Sequence, residues 1–257
     1  MIDIQNQLDT RNLPLDLVGI TNFYLPLKIS FGKTPVQSVT AKINFHTNLS
    51  ETSKGTHLSR LVELLTSSLE HDLTLGEIKK IVKQATKNLN TTISQIEFEF
   101  MYFLKKSSPV SNKEHILGYQ IQLVCNYNQG VFTAFFKIIV PVMLLCPCSK
   151  AISKYNAHNQ KANITLSFFT DRDTVIHKII KSVEKQGSAE IFPLLKRPDE
   201  KYITEVSYEN PKFVEDIVRD IALHLKQYKG LSNIIVECES YESIHDHNAY
   251  AKYISPV

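Results

Sequence analysis

The sequence contains little glycine and no tryptophan: only eight glycines occur in 257 residues. It has no GxGxxG or GxxxxGK[ST] segment. Loops of these types let a backbone approach phosphate groups closely. Their absence argues against a Rossmann or P-loop nucleotide site.

Strong charge and long apolar runs are also lacking. The net charge is +3, and no basic run interleaved with aromatic residues indicates a nucleic-acid surface. The longest apolar run, IIVPVMLL at 138–145, is far too short to span a membrane. The first residues lack the apolar core of a secretory signal. We therefore expect a cytoplasmic protein that binds neither nucleic acid nor membrane.

Four cysteines are too few for a disulfide framework in a chain of this length. Cys146 and Cys148 flank Pro147 at the end of an apolar strand, too close together for an unstrained disulfide. The pair is also spaced more tightly than the cysteines of structural zinc sites. Buried inert thiols, a thiolate favoured by the nearby Lys150 and a metal ligand all stay possible.

Alternating apolar residues predict strands, and residues at helical spacing predict helices. The predicted strands are 18–30, 36–47, 93–105, 118–128, 130–144, 162–169 and 233–240. One helix has the stripe Leu58, Leu61, Val62, Leu65 and Leu69, and the next begins at Thr74 with Glu77 forming a capping box. A third helix is capped by Asp173 and continues through Val175 to Val183. The last begins at Asn210-Pro211 and includes Leu225.

The order of strands and paired helices occurs twice along the chain. Consecutive strand pairs favour antiparallel sheet with helices on one face, which is the α+β class. We expect a flexible segment at 1–13 and one domain at 14–257. That domain would contain two modules at roughly 14–127 and 128–257, taken from the repeated element order.

Histidine and carboxylate side chains cluster near the cysteines and near the C-terminus. His158 lies in the polar segment YNAHNQ, and the C-terminal segment contains Glu239, Glu242, His245, Asp246 and His247. Glu215, Asp216 and Asp220 share a predicted helix, where a solvated face is the simpler interpretation. Mixed Cys, His and Glu ligands suit a catalytic zinc, iron or manganese ion with one open position. The pattern alone predicts a metal-dependent hydrolytic enzyme.

Several longer motifs resemble a known family. CPCSK-x-IS-x-Y-x-AHNQ, LLKRPDEKY, ENPKFVEDIVRD and ESIH-x-H-x-AYA, with VGI near the start and KGTH-x-SR at 54–60, are similar to the prokaryotic GTP cyclohydrolases of type IB. The resemblance extends from about residue 15 to 255. Asn156 occupies a position where the family pattern has glycine, and Lys161 one where it has arginine.

The resemblance implies a tunnelling fold that assembles into a homotetramer with active sites at subunit interfaces. The implied reaction converts GTP and water to formate and 7,8-dihydroneopterin triphosphate, which begins folate-type pterin synthesis. The implied cofactor is a divalent metal: manganese, iron or zinc. The implied partners are GTP and further copies of the chain.

The family pattern also implies a role for individual residues. Cys146, His158 and Glu200 would be the metal ligands, with Cys146 also counted as catalytic. His245, supported by Glu242, would transfer protons, and Glu215 would bind the guanine edge. The other substrate-binding candidates are Cys148 and Ser149 beside the base, and Lys150, His57 and Arg60 for the triphosphate.

Two other functions stay open. A related nitrile reductase would use a cysteine nucleophile and NADPH without a metal, but His158 and the His245–His247 segment fit that chemistry poorly. A non-catalytic metal-storage or redox protein could use Cys146 and Cys148 alone. Metal content, formate release from GTP and NADPH consumption would separate the three.

Overall fold

The computed structural model describes residues 3–5, 7–32, 35–170, 172 and 176–256, without the side chain of Leu69. The strands in these ranges are β1 (Leu15–Ile29), β2 (Gln37–Leu49), β3 (Ile93–Ser107), β4 (Glu114–Asn128), β5 (Val131–Leu145), β6 (Asn159–Thr170), β7 (Ala189–Glu190), β8 (Leu231–Ser240) and β9 (Ala249–Ile254). The α-helices are α1 (Leu58–Ser67), α2 (Leu75–Leu89), α3 (Pro147–Ile152), α4 (Ile176–Glu184), α5 (Arg197–Glu209) and α6 (Val214–Leu225).

The chain divides into two compact units. The first comprises 1–101, 121–135 and 170–174, and the second comprises 102–120, 136–169 and 175–257. Strands β3, β4 and β5 therefore contribute residues to both units, and they are hydrogen-bonded neighbours in that order. The modules expected at 14–127 and 128–257 stay a prediction.

In the first unit, β1, β2 and β3 are neighbouring strands with antiparallel pairing. The residues Val39, Ala41, Ile43 and Phe45 of β2 are all buried, as their alternation predicts. Phe31 and Phe100 add an aromatic pair to this core, with ring centroids 6.3 Å apart. The period of two thus identified both the strand and its buried face.

Helices α1 and α2 belong to the same unit and begin where the sequence indicates. The side chain of Thr74 accepts a hydrogen bond from the backbone N–H of Glu77, so the predicted N-cap is correct. Helix α1 ends at Ser67, before the predicted Leu69, and continues as a short 3₁₀ turn at Ser68–Glu70. Its stripe is buried at Leu61 and Leu65.

In the second unit, β5, β6, β8 and β9 are neighbouring strands, and β7 pairs with β5. Helix α6 buries Ile217, Ile221 and Leu225, as its spacing predicts. The prediction that this helix starts at Asn210-Pro211 is wrong: it begins at Val214, with Phe213 as the N-cap. The predicted cap Asp173 and the helical position Val175 lie outside the described residues.

Ordered elements also occur where the sequence predicted none. Helix α5 covers the charged segment 197–209, α3 covers 147–152, and β9 follows the histidine-rich segment near the C-terminus. Proline at the start of α3 and α5 is compatible with a first helical turn, which needs no N–H donor there. The mixed α and β arrangement with antiparallel pairing agrees with the predicted α+β class. No described helix has the length and apolar composition that crossing a bilayer requires.

Asparagine occupies most of the left-handed backbone positions among the described non-glycine residues. Seven non-glycine residues in the described ranges have positive φ, and six are asparagine: Asn12, Asn22, Asn90, Asn112, Asn156 and Asn233. The seventh, Gln129, precedes Gly130, and their φ angles of 46° and 93° turn β4 into β5. Asparagine tolerates this left-handed region better than most residues because its short polar side chain can bond locally. Asn156 has the φ angle of 86°. A positive φ is what glycine, expected at this position from the resemblance, adopts readily.

A buried ionic cluster lies in the second unit. The Nζ atom of Lys106 is 2.8 Å from carboxylate oxygens of both Glu184 and Glu190. Only 6% of the Lys106 side chain and 2% of the Glu184 side chain are exposed. Tyr119 donates a hydrogen bond of 2.7 Å to Glu184. Burial raises the pKa of the Tyr119 hydroxyl well above its ordinary value, and the negative charge of Glu184 raises it further. The donors compensate an otherwise costly buried carboxylate.

Candidate active site

A pocket of about 270 Å³ in the second unit contains five of the predicted site residues. Its lining includes Cys146, His158, Glu215, Glu242 and His245. These residues come from the end of β5, the start of β6, the start of α6 and the segment after β8. Strand ends and a helix start thus bring together side chains that are up to 99 positions apart in the sequence.

Cys146 and Cys148 have different environments. Cys146 directly follows β5 and is the N-cap of α3, where its Sγ accepts a hydrogen bond of 3.4 Å from the Ser149 N–H. Its own N–H donates to the carbonyl of His158 at 3.1 Å, which joins the two candidate ligands through the backbone. Cys148 is exposed on α3 and is not part of the pocket lining. The structure therefore separates two cysteines that the sequence treats as a pair.

His158 belongs to a hydrogen-bonded chain of side chains. Its Nδ1 lies 2.9 Å from Gln160 Oε1, and Gln160 Nε2 donates to Glu242 Oε1 at 3.0 Å. Ser240 Oγ also donates to Glu242 Oε1, at 2.9 Å. Glu242 was predicted to support His245, and that role stays a prediction. Its hydrogen bonds connect it to the His158 side of the pocket.

Glu215 lies in the first turn of α6. The Asp216 side chain accepts a hydrogen bond of 3.0 Å from the Phe213 N–H and so fixes the helix start. Burial raises the pKa of the Cys238 thiol to about 12, and the negative charge of Glu215 adds to that increase. Glu215 therefore affects the pKa of the buried Cys238, and its side chain also lines the pocket.

Several pocket residues had no predicted role. Gln160 lines the pocket in β6, and Lys212 lines it just before α6. The Lys212 N–H donates to the Leu145 carbonyl at 3.1 Å, and its Nζ lies 2.7 Å from Asp220 Oδ2. His247 also lines the pocket and stacks on His245, with ring centroids 5.1 Å apart. Gln160, Lys212 and His247 all occur inside the family motifs, and this was the signal in the sequence that could have identified them.

Glu200 is not part of the pocket lining. It is exposed in the first turn of α5. The preceding Asp199 is fully buried and accepts hydrogen bonds from the N–H groups of Val110, Ser111 and Lys196 and from the Ser111 hydroxyl. Burial alone would raise the pKa of Asp199, but these hydrogen bonds hold it well below its usual range. The buried carboxylate fixes the helix start that presents Glu200 to solvent.

Two of the predicted metal ligands lie in the same pocket. Cys146 and His158 share the pocket, and thiolate sulfur and imidazole nitrogen are ordinary ligands of zinc and iron. Among the described residues, no three His, Cys, Asp or Glu side chains are grouped closely enough to enclose an ion. Cys146 and His158 of one chain could therefore bind the same metal ion, whereas Glu200 of that chain lies outside their pocket lining.

The remaining substrate-binding candidates have structural contacts of their own. Ser149 Oγ donates to the Cys146 carbonyl at 3.2 Å. Lys150 Nζ donates to the Tyr208 carbonyl at 2.6 Å and lies over the Tyr208 ring. In the first unit, Arg60 donates to the Asn88 carbonyl at 2.7 Å, and His57 Nε2 is 3.4 Å from Asp3. Their predicted roles in triphosphate binding stay predictions.

A family model and individual relatives match this chain over nearly its whole length. The family model described as type I GTP cyclohydrolase folE2 matches residues 1–251. GTP cyclohydrolase FolE2 of Thiobacillus denitrificans is 41% identical over 251 residues, which cover 98% of this chain and 93% of the relative. The protein of the same name from Methylobacillus flagellatus is 41% identical over 249 residues, with 97% and 93% covered. Uricase from Arthrobacter globiformis aligns with a TM-score of 0.52 at 6% identity, covering 93% of both chains, a likeness of fold alone.

Proposed function

The chain belongs to the type I GTP cyclohydrolase folE2 family, and we propose on that premise that it hydrolyses GTP at carbon 8 of the guanine. The products would be formate and 7,8-dihydroneopterin triphosphate, the first intermediate of folate-type pterin synthesis. The finer name, GTP cyclohydrolase of type IB with a tunnelling fold of two modules, is part of the same proposal. The uricase likeness supports the fold.

The pocket is the observation that carries the proposal. Hydrolysis of a purine ring needs a group that activates water, a group that transfers protons and an anchor for the base. Cys146 and His158 offer ligand atoms, His245 offers an exchangeable proton, and Glu215 offers a carboxylate, all around one cavity. Two further cavities, one beside α1 and α2 and one beside α4 and α5, have no cysteine in their linings.

We propose Cys146 Sγ and His158 as ligands of a manganese, iron or zinc ion. When bound, the metal would supply a Lewis acid that lowers the pKa of its water. Glu200 is the proposed third ligand. Since it is exposed and outside its own chain's pocket lining, it is available to a pocket on a neighbouring subunit.

Glu215 and His245 would act on the substrate itself. The guanine edge carries adjacent N–H donors, and the Glu215 carboxylate can accept both of them. His245 lies on the exposed segment after β8, where it can transfer protons during ring opening and formate release. Cys148 and Ser149 would line the base, and Lys150, His57 and Arg60 would supply positive charge for the triphosphate.

We propose a cytoplasmic homotetramer. Strands β1 and β9 end the strand order and have one hydrogen-bonded neighbour each among the described strands. Both carry exposed apolar side chains, including Leu15, Leu17 and Tyr24 on β1 and Tyr250 and Ile254 on β9. Open strand edges of this kind present unpaired N–H and C=O groups that can pair with a strand of another chain. Light scattering should report four subunits, and a fully active monomer would contradict the model of sites at interfaces.

The activity is tested with chelator-treated protein supplied with manganese or iron under anaerobic conditions. We expect formate from GTP and a product that becomes fluorescent after oxidation. The control is the Glu215→Ala variant, which should bind metal and release little formate. A wild-type protein that forms no formate from GTP but oxidises NADPH with a deazaguanine nitrile would instead be a nitrile reductase.

A further inference from the structure

Gln160 lies between the proposed metal ligand His158 and the carboxylate of Glu242. It is the second residue of β6, it is half-buried, and it lines the pocket. Its amide forms hydrogen bonds at both ends: Oε1 with His158 Nδ1 at 2.9 Å, and Nε2 with Glu242 Oε1 at 3.0 Å and Ser240 Oγ at 3.2 Å. No role for this side chain follows from the proposed chemistry alone.

Glu242 determines the direction of each hydrogen bond in the series that links it through Gln160 to His158. An ionised carboxylate only accepts hydrogen bonds, so the Gln160 group that faces it must be the NH₂. Ser240 donates its single proton to the same carboxylate oxygen and therefore accepts from Gln160 through a lone pair. The Gln160 carbonyl oxygen is then left to face His158, and an oxygen of this kind only accepts.

His158 must consequently carry its proton on Nδ1. With that proton donated to Gln160 Oε1, the neutral ring keeps a free lone pair on Nε2. The Ser243 hydroxyl lies 3.4 Å from the same Nδ1, and it can also accept from an N–H. The bond to Gln160 is the shorter of the two, and it belongs to the chain whose direction Glu242 determines.

We propose that Gln160 is a positioning residue that holds His158 in the Nδ1–H tautomer, so that Nε2 is the atom available to bind a metal ion. The inference rests on the proposed function only in naming the metal as the group that Nε2 meets. Groups that bond the second nitrogen of a ligating histidine fix its tautomer and orientation, and their loss typically lowers metal affinity about 10–100-fold. Gln160 meets this description through its position and its polarity.

The test compares Gln160→Leu with Asn163→Leu. Asn163 lies on the same strand, donates a hydrogen bond of 2.9 Å to Tyr241 and does not line the pocket, so it controls for loss of an amide from β6. Two readouts are independent of turnover. One is the ¹⁵N spectrum of His158 in metal-free protein at about pH 8.5, well above the ordinary histidine pKa. The other is Mn²⁺ binding to chelator-stripped protein.

In Gln160→Leu we expect the Nδ1–H tautomer of His158 to lose its dominance and the dissociation constant for Mn²⁺ to rise about 10–100-fold. In Asn163→Leu neither should change. A folded Gln160→Leu protein with an unchanged tautomer and Mn²⁺ affinity within twofold of wild type overturns the proposal. If wild-type protein fails to hydrolyse GTP while Gln160→Leu still shifts the tautomer, the proposed function fails and the positioning role stands.

A second variant decides the question if Gln160→Leu does not fold. Glu242→Gln keeps the side-chain shape but adds a donor, so Gln160 is no longer forced to present its NH₂ to residue 242. We expect this variant to give a mixture of His158 tautomers. A single Nδ1–H tautomer, as in wild type, would refute the claim that Glu242 acts on His158 through Gln160.

Discussion

Replacing each cysteine of the Cys-Pro-Cys segment with alanine tests the assignment of Cys146 as a metal ligand. Zinc-finger peptides bind their ion with about 10–16 kcal/mol over four ligands, so one thiolate corresponds to roughly 3 kcal/mol. A loss of about 3 kcal/mol raises the dissociation constant more than 100-fold. Cys146→Ala should therefore lose its metal and its formate production. Cys148→Ala, an exposed change outside the pocket lining, should keep its metal and should lower formate production less than Cys146→Ala does.

Destabilisation of α3 is too small to explain such a loss. Cys146 Sγ accepts only one hydrogen bond, of 3.4 Å from Ser149, and sulfur is a weak acceptor. Losing this cap should lower the free energy of unfolding by less than about 1 kcal/mol. Mn²⁺ titration of chelated protein measures the affinity, and urea denaturation measures the stability. If Cys148→Ala removes the metal and Cys146→Ala retains it, the assignment of the two cysteines is reversed.

Three further predictions concern the binding and turnover of GTP, the buried ionic cluster and the stability of the protein at low pH. Glu215→Ala should keep Mn²⁺ but raise KM for GTP about 10–100-fold, because a hydrogen bond to a charged group contributes about 1.5–3 kcal/mol. His245→Ala should instead lower kcat about 100- to 10,000-fold. Steady-state kinetics measures both, and a loss of kcat in Glu215→Ala with a raised KM in His245→Ala would contradict these roles. Lys106→Met leaves the buried Glu184 without its cation and should lower the free energy of unfolding by about 3–5 kcal/mol, as measured by urea denaturation. As a control, replacing Lys201 of the exposed Lys201–Glu205 pair should lower it by under about 1 kcal/mol. Equal losses in the two variants would be inconsistent with burial as the cause. The lowered pKa of Asp199 gives stability that is present above the unfolded pKa of about 3.8 and is lost as pH falls toward the folded value. The melting temperatures of wild type and Asp199→Asn should accordingly converge between pH 5 and pH 2.5, and a constant gap would exclude this role.

Elements with a clean periodicity were predictable from the sequence. Strand β2 alternates through Val39 to Phe45, and α6 repeats its apolar residues at helical spacing, so both patterns identify a buried face. Five of the predicted site residues line one pocket, and their roles stay predictions. Whole motifs, and not single residues, carried the resemblance that selected them. A motif preserves the spacing that brings Cys146 and His158 to adjacent strand ends.

Elements stabilised by tertiary contacts were not predictable. Helix α5 has a weakly amphipathic, charged sequence, and its start is fixed by the buried Asp199 bonded to residues 88 and 89 positions earlier in the chain. Proline at 211 suggested a helix start, but the Lys212 N–H bonds to Leu145, so the chain continues to Val214 before the helix begins. The role of Gln160 depends on the direction of hydrogen bonds between three elements. Single-sequence patterns carry no information of this kind.

The asparagines with left-handed backbone angles have a consequence for the chemical lifetime of the protein. Asparagine is among the residues that heat degrades covalently, whereas glycine with the same left-handed backbone angles has no side chain to lose. Prolonged warming should therefore damage this chain at these asparagines, through irreversible side-chain chemistry that refolding cannot repair. Asn156 lies between Cys146 and His158 in the sequence, so ageing there would alter the loop that joins the two proposed ligands. Peptide mass spectrometry of heat-aged protein would measure this directly, and unmodified Asn156 in inactivated protein would point to another cause.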